Sequence, residues 1–231
     1  MKLAPVSVVS VNSYIENKLK SSKEKLLYNK IPVFIKDPLP KRINLDSILE
    51  FVQRKIPEHL VYGIDMVYIG DFEEFHENDT NAAYKDGALY ITNHQSHEMD
   101  MIDDIFHEIA HACEESYYSL IYPDGQIQNE FLGKRKKLFD ILKQEGYNIS
   151  LKDCLDIEYS SEFDEFLYKE VGYDRLTFFT MGLFVSPYGA TSCREYFANG
   201  FEHYFLNDPQ YVKIVSPAVY GKVDGLVFME I

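Results

Sequence analysis

The sequence predicts one mixed α/β (α+β) domain in which helices dominate the second half. Length comes first: 231 residues amount to about one and a half average domains. Composition agrees, since 46% hydrophobic and 26% charged residues are the proportions of a globular chain. Patterning settles the class, because short apolar runs give way after residue 100 to longer stripes of helical period. This composition excludes a disordered or low-complexity chain. No apolar run approaches the length of a membrane-spanning helix.

Val6 to Val11 reads as a strand. Pro5 interrupts the apolar stretch behind Lys2 and no small-residue cleavage site follows, so a signal peptide is not expected. A lysine-rich stretch from Glu16 to Lys25 reads as a helix and Ile31 to Ile35 as a second strand, together an N-terminal extension over 1–43. Leu45, Ile48, Leu49, Val52 and Ile56 line one helical face, with Asn44 as cap and Pro57 as stop. Val61 to Ile69 alternates like a strand, Asp71 to Thr80 reads as an acidic loop, and Lys85-Asp86-Gly87 signals a turn before a strand at Ala88 to Thr92. Asp100 to Tyr118 is the clearest helix. Its stripe is Met101, Ile105, Ile109, Ala112 and Cys113, and Asp100, Asp103 and Asp104 favour the dipole of its first turns. Further helices are expected at Phe131 to Leu142, Phe163 to Val171 and Arg194 to Leu206, the last stopped by Asn207-Asp208-Pro209. No βαβ series and no Gly-rich phosphate loop is expected.

Lys and Arg number 23 against 37 Asp and Glu, a net charge of −14. So acidic a surface repels phosphate backbones, and neither nucleic acid nor membrane is an expected partner. Solubility accounts for the charge first, and attraction of basic substrates second. Cys113, Cys154 and Cys193 are odd in number and widely spaced, which gives neither a disulfide framework nor a cysteine zinc ribbon. A reducing compartment fits best.

The chemistry concentrates at His107-Glu108-Ile109-Ala110-His111. Residues four apart share a helical face, so both imidazoles can reach one metal ion, and Glu108 can reach a water beside it. The spacing arises by chance in roughly 3% of chains of this composition. A catalytic zinc takes three protein ligands. His203 is one candidate for the third. Glu195 is the better one, because Glu195, Asn199 and Glu202 line one face of a helix whose Tyr196, Phe197, Phe201 and Phe205 are apolar. The rival explanation is a solvated acidic stripe.

His107-Glu108-x-x-His111 with Glu195-Tyr196-Phe197-Ala198 resembles the catalytic domain of anthrax lethal factor, and is similar to the clostridial Pro-Pro endopeptidases and related phage and bacterial proteins. The resemblance covers about Ala88 to Leu206. It implies a zincin-like metallopeptidase fold with one Zn2+ per chain, held by His107, His111 and Glu195. It further implies Glu108 as general base and Tyr188, seven residues before Glu195, as stabiliser of the transition state. The chain departs from the family at Asn199, where a carboxylate is common; Glu202 is the substitute the sequence offers. It departs again in the 83 residues between His111 and Glu195, which suggest a helical insertion over about 126–173.

Zincins pair an extended substrate with an edge strand upstream of the active helix, and Ala88 to Asn93 stands in that place. His94 and His97 raise the question of a second metal, although a polar loop accounts for them more simply. Lys134-Arg135-Lys136-Lys137 reads as a solvated helix face, and Cys113 as core. The expected protein is a single-domain zinc metalloendopeptidase acting on a peptide or protein substrate, cytoplasmic or associated with a virion or host cell. The alternatives are a host-directed toxin or effector protease with one narrow target, and a zinc-binding module without turnover.

Overall fold

The computed structural model describes residues 25–78 and 80–229. The strand expected at Val6 to Val11 lies outside them. So does the helix expected from Glu16, save Lys25, which opens a strand. The described residues are mixed α/β, with a five-stranded mixed sheet and a helical second half.

The sheet comprises β1 (Lys25–Leu27), β2 (Ile31–Ile35), β3 (Met66–Gly70), β4 (Ala82–Lys85) and β5 (Ala88–Thr92), in spatial order β1-β2-β3-β5-β4. β2, β3 and β5 run parallel, while β1 and β4 are antiparallel edges. Period-two alternation separates the faces. Val33, Val67, Ile69, Leu89 and Ile91 are buried. On the other face Phe34, Tyr68 and Tyr90 stack at successive ring distances of 5.3 Å. Helix α1 (Leu45–Lys55) starts where expected. The Asn44 side chain accepts from the Ser47 N–H, and Leu45, Ile48, Leu49 and Val52 are buried.

Several expectations need correction. β2, α1 and β3 form a βαβ unit, because β2 and β3 are parallel neighbours joined through a helix. Each element was legible, but parallel pairing is a long-range fact that periodicity does not encode. The Val61 to Ile69 strand is shorter. Glu58–Val61 is a 3-10 turn that buries Leu60 and Val61, and extended pairing begins at Met66. The acidic loop contains helix α2 (Glu73–Asn78), anchored by the buried Phe75 against Phe72 at 5.2 Å. Ala88 to Thr92 is internal, and the edge is β4. Asp86 (φ 50°) and Gly87 (φ 77°) turn the β4–β5 hairpin through left-handed conformations, and a Cβ on Gly87 would meet the Asp65 carboxylate at 2.8 Å.

Helix α3 (Glu98–Ser116) packs across the sheet with Met101, Ile105, Phe106, Ile109, Ala110, Ala112 and Cys113 fully buried. It begins two residues earlier than expected. His97 caps it, with Asp100 closing a reciprocal capping box. After the short α4 (Tyr118–Ile121) come α5 (Gln126–Gln144), α6 (Leu151–Cys154), α7 (Ser161–Glu165) and α8 (Tyr173–Thr180). The expected Phe163 to Val171 helix is split between α7 and a π-helical turn, Phe166–Val171. α9 (Cys193–Leu206) packs on α3. The chain then continues as α10 (Pro209–Val215) and α11 (Pro217–Val227), which sequence periodicity did not disclose. Gly200 lets α11 close on α9, since a Cβ there would lie 2.5 Å from Val219 Cγ1. Among the described residues no helix is long and apolar enough to cross a membrane.

The Lys134–Lys137 run is not a solvated face. Lys136 and Lys137 are exposed, but Lys134 and Arg135 are buried. Burial is tolerated because carbonyl oxygens replace water. Lys134 Nζ donates to Leu183 O at 2.6 Å and to Val215 O. Arg135 donates to Asp153 O, Cys154 O, Ala190 O and Thr191 O at 2.6–3.1 Å, with its guanidinium 3.9 Å from the Phe163 ring centroid.

Candidate metal centre

Two helices build the centre. α3 presents His107 and His111 one turn apart, with ring centroids separated by 4.9 Å. α9 presents Glu195 from its first turn, positioned by the cap in which Ser192 Oγ accepts from the Glu195 N–H at 3.1 Å. His107 Nε2 lies 2.9 Å from Glu195 Oε2, and His111 Nε2 lies 3.5 Å from Glu195 Oε1. The three donor atoms lie within 4.8 Å of one another. His203 is outside this cluster, half-buried beside Glu202, and burial lowers its pKa.

The two imidazoles and the carboxylate are electrostatically coupled. Burial alone would depress the pKa of His107, but hydrogen bonds to Glu195 and Glu202 outweigh it and lift the value to about 10. His111 is raised for the same reason, by Glu114 and Glu195 against its own burial. Burial pushes the Glu195 carboxyl up, yet the hydrogen bonds from both imidazoles hold it far below the usual carboxylate range. Two imidazoles and a carboxylate are a donor set that suits zinc.

Each histidine is backed on its other nitrogen. His107 Nδ1 faces Glu202 Oε2 at 3.5 Å, and His111 Nδ1 faces Glu114 Oε2 at 3.4 Å. Glu114 is itself held by Arg194 Nε at 2.9 Å and by the Tyr122 hydroxyl. Such outer partners fix ring orientation. Asn199 does not substitute for a carboxylate here. Its Oδ1 accepts from Ser186 Oγ and its side chain packs on Gly189, so it pins the segment bearing Tyr188. Glu202 supplies the contact to His107 that the sequence left open. Glu114, Arg194 and Tyr122 were missed, although Glu114 stands at i+3 from His111, where a helical neighbour belongs.

Glu108 is buried beside the pair. Burial raises its pKa, the two histidines pull it down, and the backbone of Tyr84 in β4 hydrogen-bonds to it. Tyr188 sits in a 3-10 turn (Tyr188–Ala190), with its ring 6.0 Å from that of His107. Of the other expected residues, His97 is spent on the α3 cap, Cys113 is core, and His94 lies elsewhere with Asp71 and His76. No family model, curated protein or solved structure matches the chain. The functional reading therefore rests on the site itself.

Proposed function

We propose that the protein is a zinc-dependent endopeptidase of zincin-like architecture. One observation carries this reading. One ligand atom from each of His107, His111 and Glu195 lies within 4.8 Å of the other two, with the buried Glu108 next to His107 in the chain. Bound there, zinc supplies Lewis acidity, polarising a carbonyl and lowering the pKa of water to about 7.

The chain's own residues divide the rest. Glu108 takes a proton from the attacking water as the oxygen bonds to the scissile carbonyl carbon. It then returns that proton to the leaving amine as the C–N bond breaks, giving two peptides without a covalent intermediate. A raised carboxyl pKa suits a group that must both accept and release a proton. Tyr188 donates its phenolic hydrogen to the developing oxyanion. Glu202 and Glu114 keep the two imidazoles aimed. Among the described residues one side of β4 has no strand partner, and this side, whose Tyr84 backbone touches Glu108, offers an extended substrate a strand to pair with. This assigns the docking edge to 82–85 instead of 88–93.

Elemental analysis tests the ligand set. Protein purified without added metal should carry about one tightly held zinc per chain, and His111→Ala purified in parallel should carry none. Equal zinc in both would remove His111 from the site.

A further inference from the structure

We propose that Asp71, His76 and His94 form a second site, for a divalent first-row metal such as zinc, that ties α2 to the loop leading into α3. It is independent of the centre described above and shares no residue with it. β3 and β5 are parallel neighbours ending side by side at Gly70 and Thr92, and the Asn93 N–H donates to Gly70 O at 3.1 Å beyond the paired register. The two strands therefore deliver Asp71 and His94 to the same end of the sheet. His76 arrives from α2, which is held by the buried Phe75 and by Phe72 packed edge-on against Tyr90 at 5.6 Å.

One carboxylate oxygen faces both imidazoles. Asp71 Oδ1 lies 2.6 Å from His76 Nε2 and 3.6 Å from His94 Nε2, and all three donor atoms fall within 4.8 Å. Tetrahedral zinc with bonds of about 2.0–2.2 Å separates its ligands by about 3.3–3.5 Å. From 2.6 Å, His76 has to retreat by about 0.7–0.9 Å, and His94, at 3.6 Å, hardly moves. Both rings are mostly exposed and free to make that adjustment. The Asp71 backbone is already fixed, its N–H donating to Asp37 Oδ2 at 2.9 Å and its carbonyl accepting from Lys36 Nζ at 2.8 Å.

A metal here would brace a loop already knitted to the rest of the molecule. Arg42 Nη2 donates to Gln95 O at 3.0 Å, and Gln95 Nε2 donates to Asp104 Oδ2 at 2.8 Å on α3. Being exposed and solvated, the site should hold zinc more weakly than the buried centre.

Zinc titration of the metal-stripped full chain by calorimetry separates the two sites. Wild type should take up two equivalents. His76→Ala and His94→Ala should each take up one, His111→Ala one, and His76→Ala combined with His111→Ala none. A wild type that binds a single equivalent, lost with His111→Ala and kept in His76→Ala, overturns the second site and leaves the first standing. A single equivalent lost with His76→Ala and kept in His111→Ala overturns the first and leaves the second. Two equivalents persisting in both His76→Ala and His94→Ala would also refute the assignment.

Discussion

At the residue scale, Tyr188 is where chemistry and position meet most closely. Its ring stands 6.0 Å from that of His107, on a turn pinned through Ser186 to Asn199. Burial, then the Glu195 carboxylate, push its pKa above the ordinary 10, so the phenol keeps its proton throughout the neutral range and remains a donor. Losing one oxyanion donor costs about 2.7–4 kcal/mol, or 10²–10³ in rate. Steady-state kinetics of Tyr188→Phe should show kcat lower by that order, with zinc content unchanged and the same pH–rate shape below pH 10. A Phe variant with parental kcat would make the tyrosine structural. His107, Glu108, His111 and Glu195 were legible because helical spacing and a recognisable pair of motifs mark them. Glu114 and Arg194 were not, because their partnership spans 80 residues and exists only once α3 and α9 pack.

At the element scale, α5 does more than fill space between the two motif helices. Arg135 runs from its buried face to the carbonyls of Ala190 and Thr191, so it braces the chain between Tyr188 and Glu195. It also caps Asp153 O and Cys154 O on α6. Arg135→Met would leave several buried acceptors without donors, at roughly 1–3 kcal/mol each. At about 2–4 °C per kcal/mol for a chain of this size, the melting temperature should fall by roughly 10 °C. Lys137→Met, an exposed position on the same helix, should change stability by no more than about 0.5 kcal/mol. Comparable melting temperatures for both variants would show the carbonyl cluster to be unimportant. The sequence presented these residues as four like charges in a row, and a charge run ordinarily faces water. The carbonyls that hold Arg135 come from two other segments, 153–154 and 190–191, which the run itself does not reveal.

At the scale of the whole molecule, local signals carried the class and the centre but not the topology. Caps, turns and helical stripes placed α1, α3, α9 and the β4–β5 turn, each of which is specified within a few residues. The βαβ unit, the edge position of β4 and the C-terminal helices depend on contacts between distant segments. α10 and α11 are short helices, each started by a proline at its first turn, which reads in isolation as a stop. The net charge of −14 assigns no partner. What unites the molecule is the meeting of α3 with α9, which places two imidazoles, the Glu195 carboxylate and the buried Glu108 together.

The most direct test of that arrangement is cleavage of a peptide library by the zinc-loaded protein beside Glu108→Gln at matched zinc content. Glutamine keeps the shape and leaves the three ligands in place, but it cannot accept the proton. Wild type should cleave, a chelator should abolish cleavage, and Glu108→Gln should be slower by at least about a hundredfold, the usual scale for a general base. A Glu108→Gln variant as fast as wild type, or a zinc-loaded wild type that cleaves no member of the library, would contradict the account.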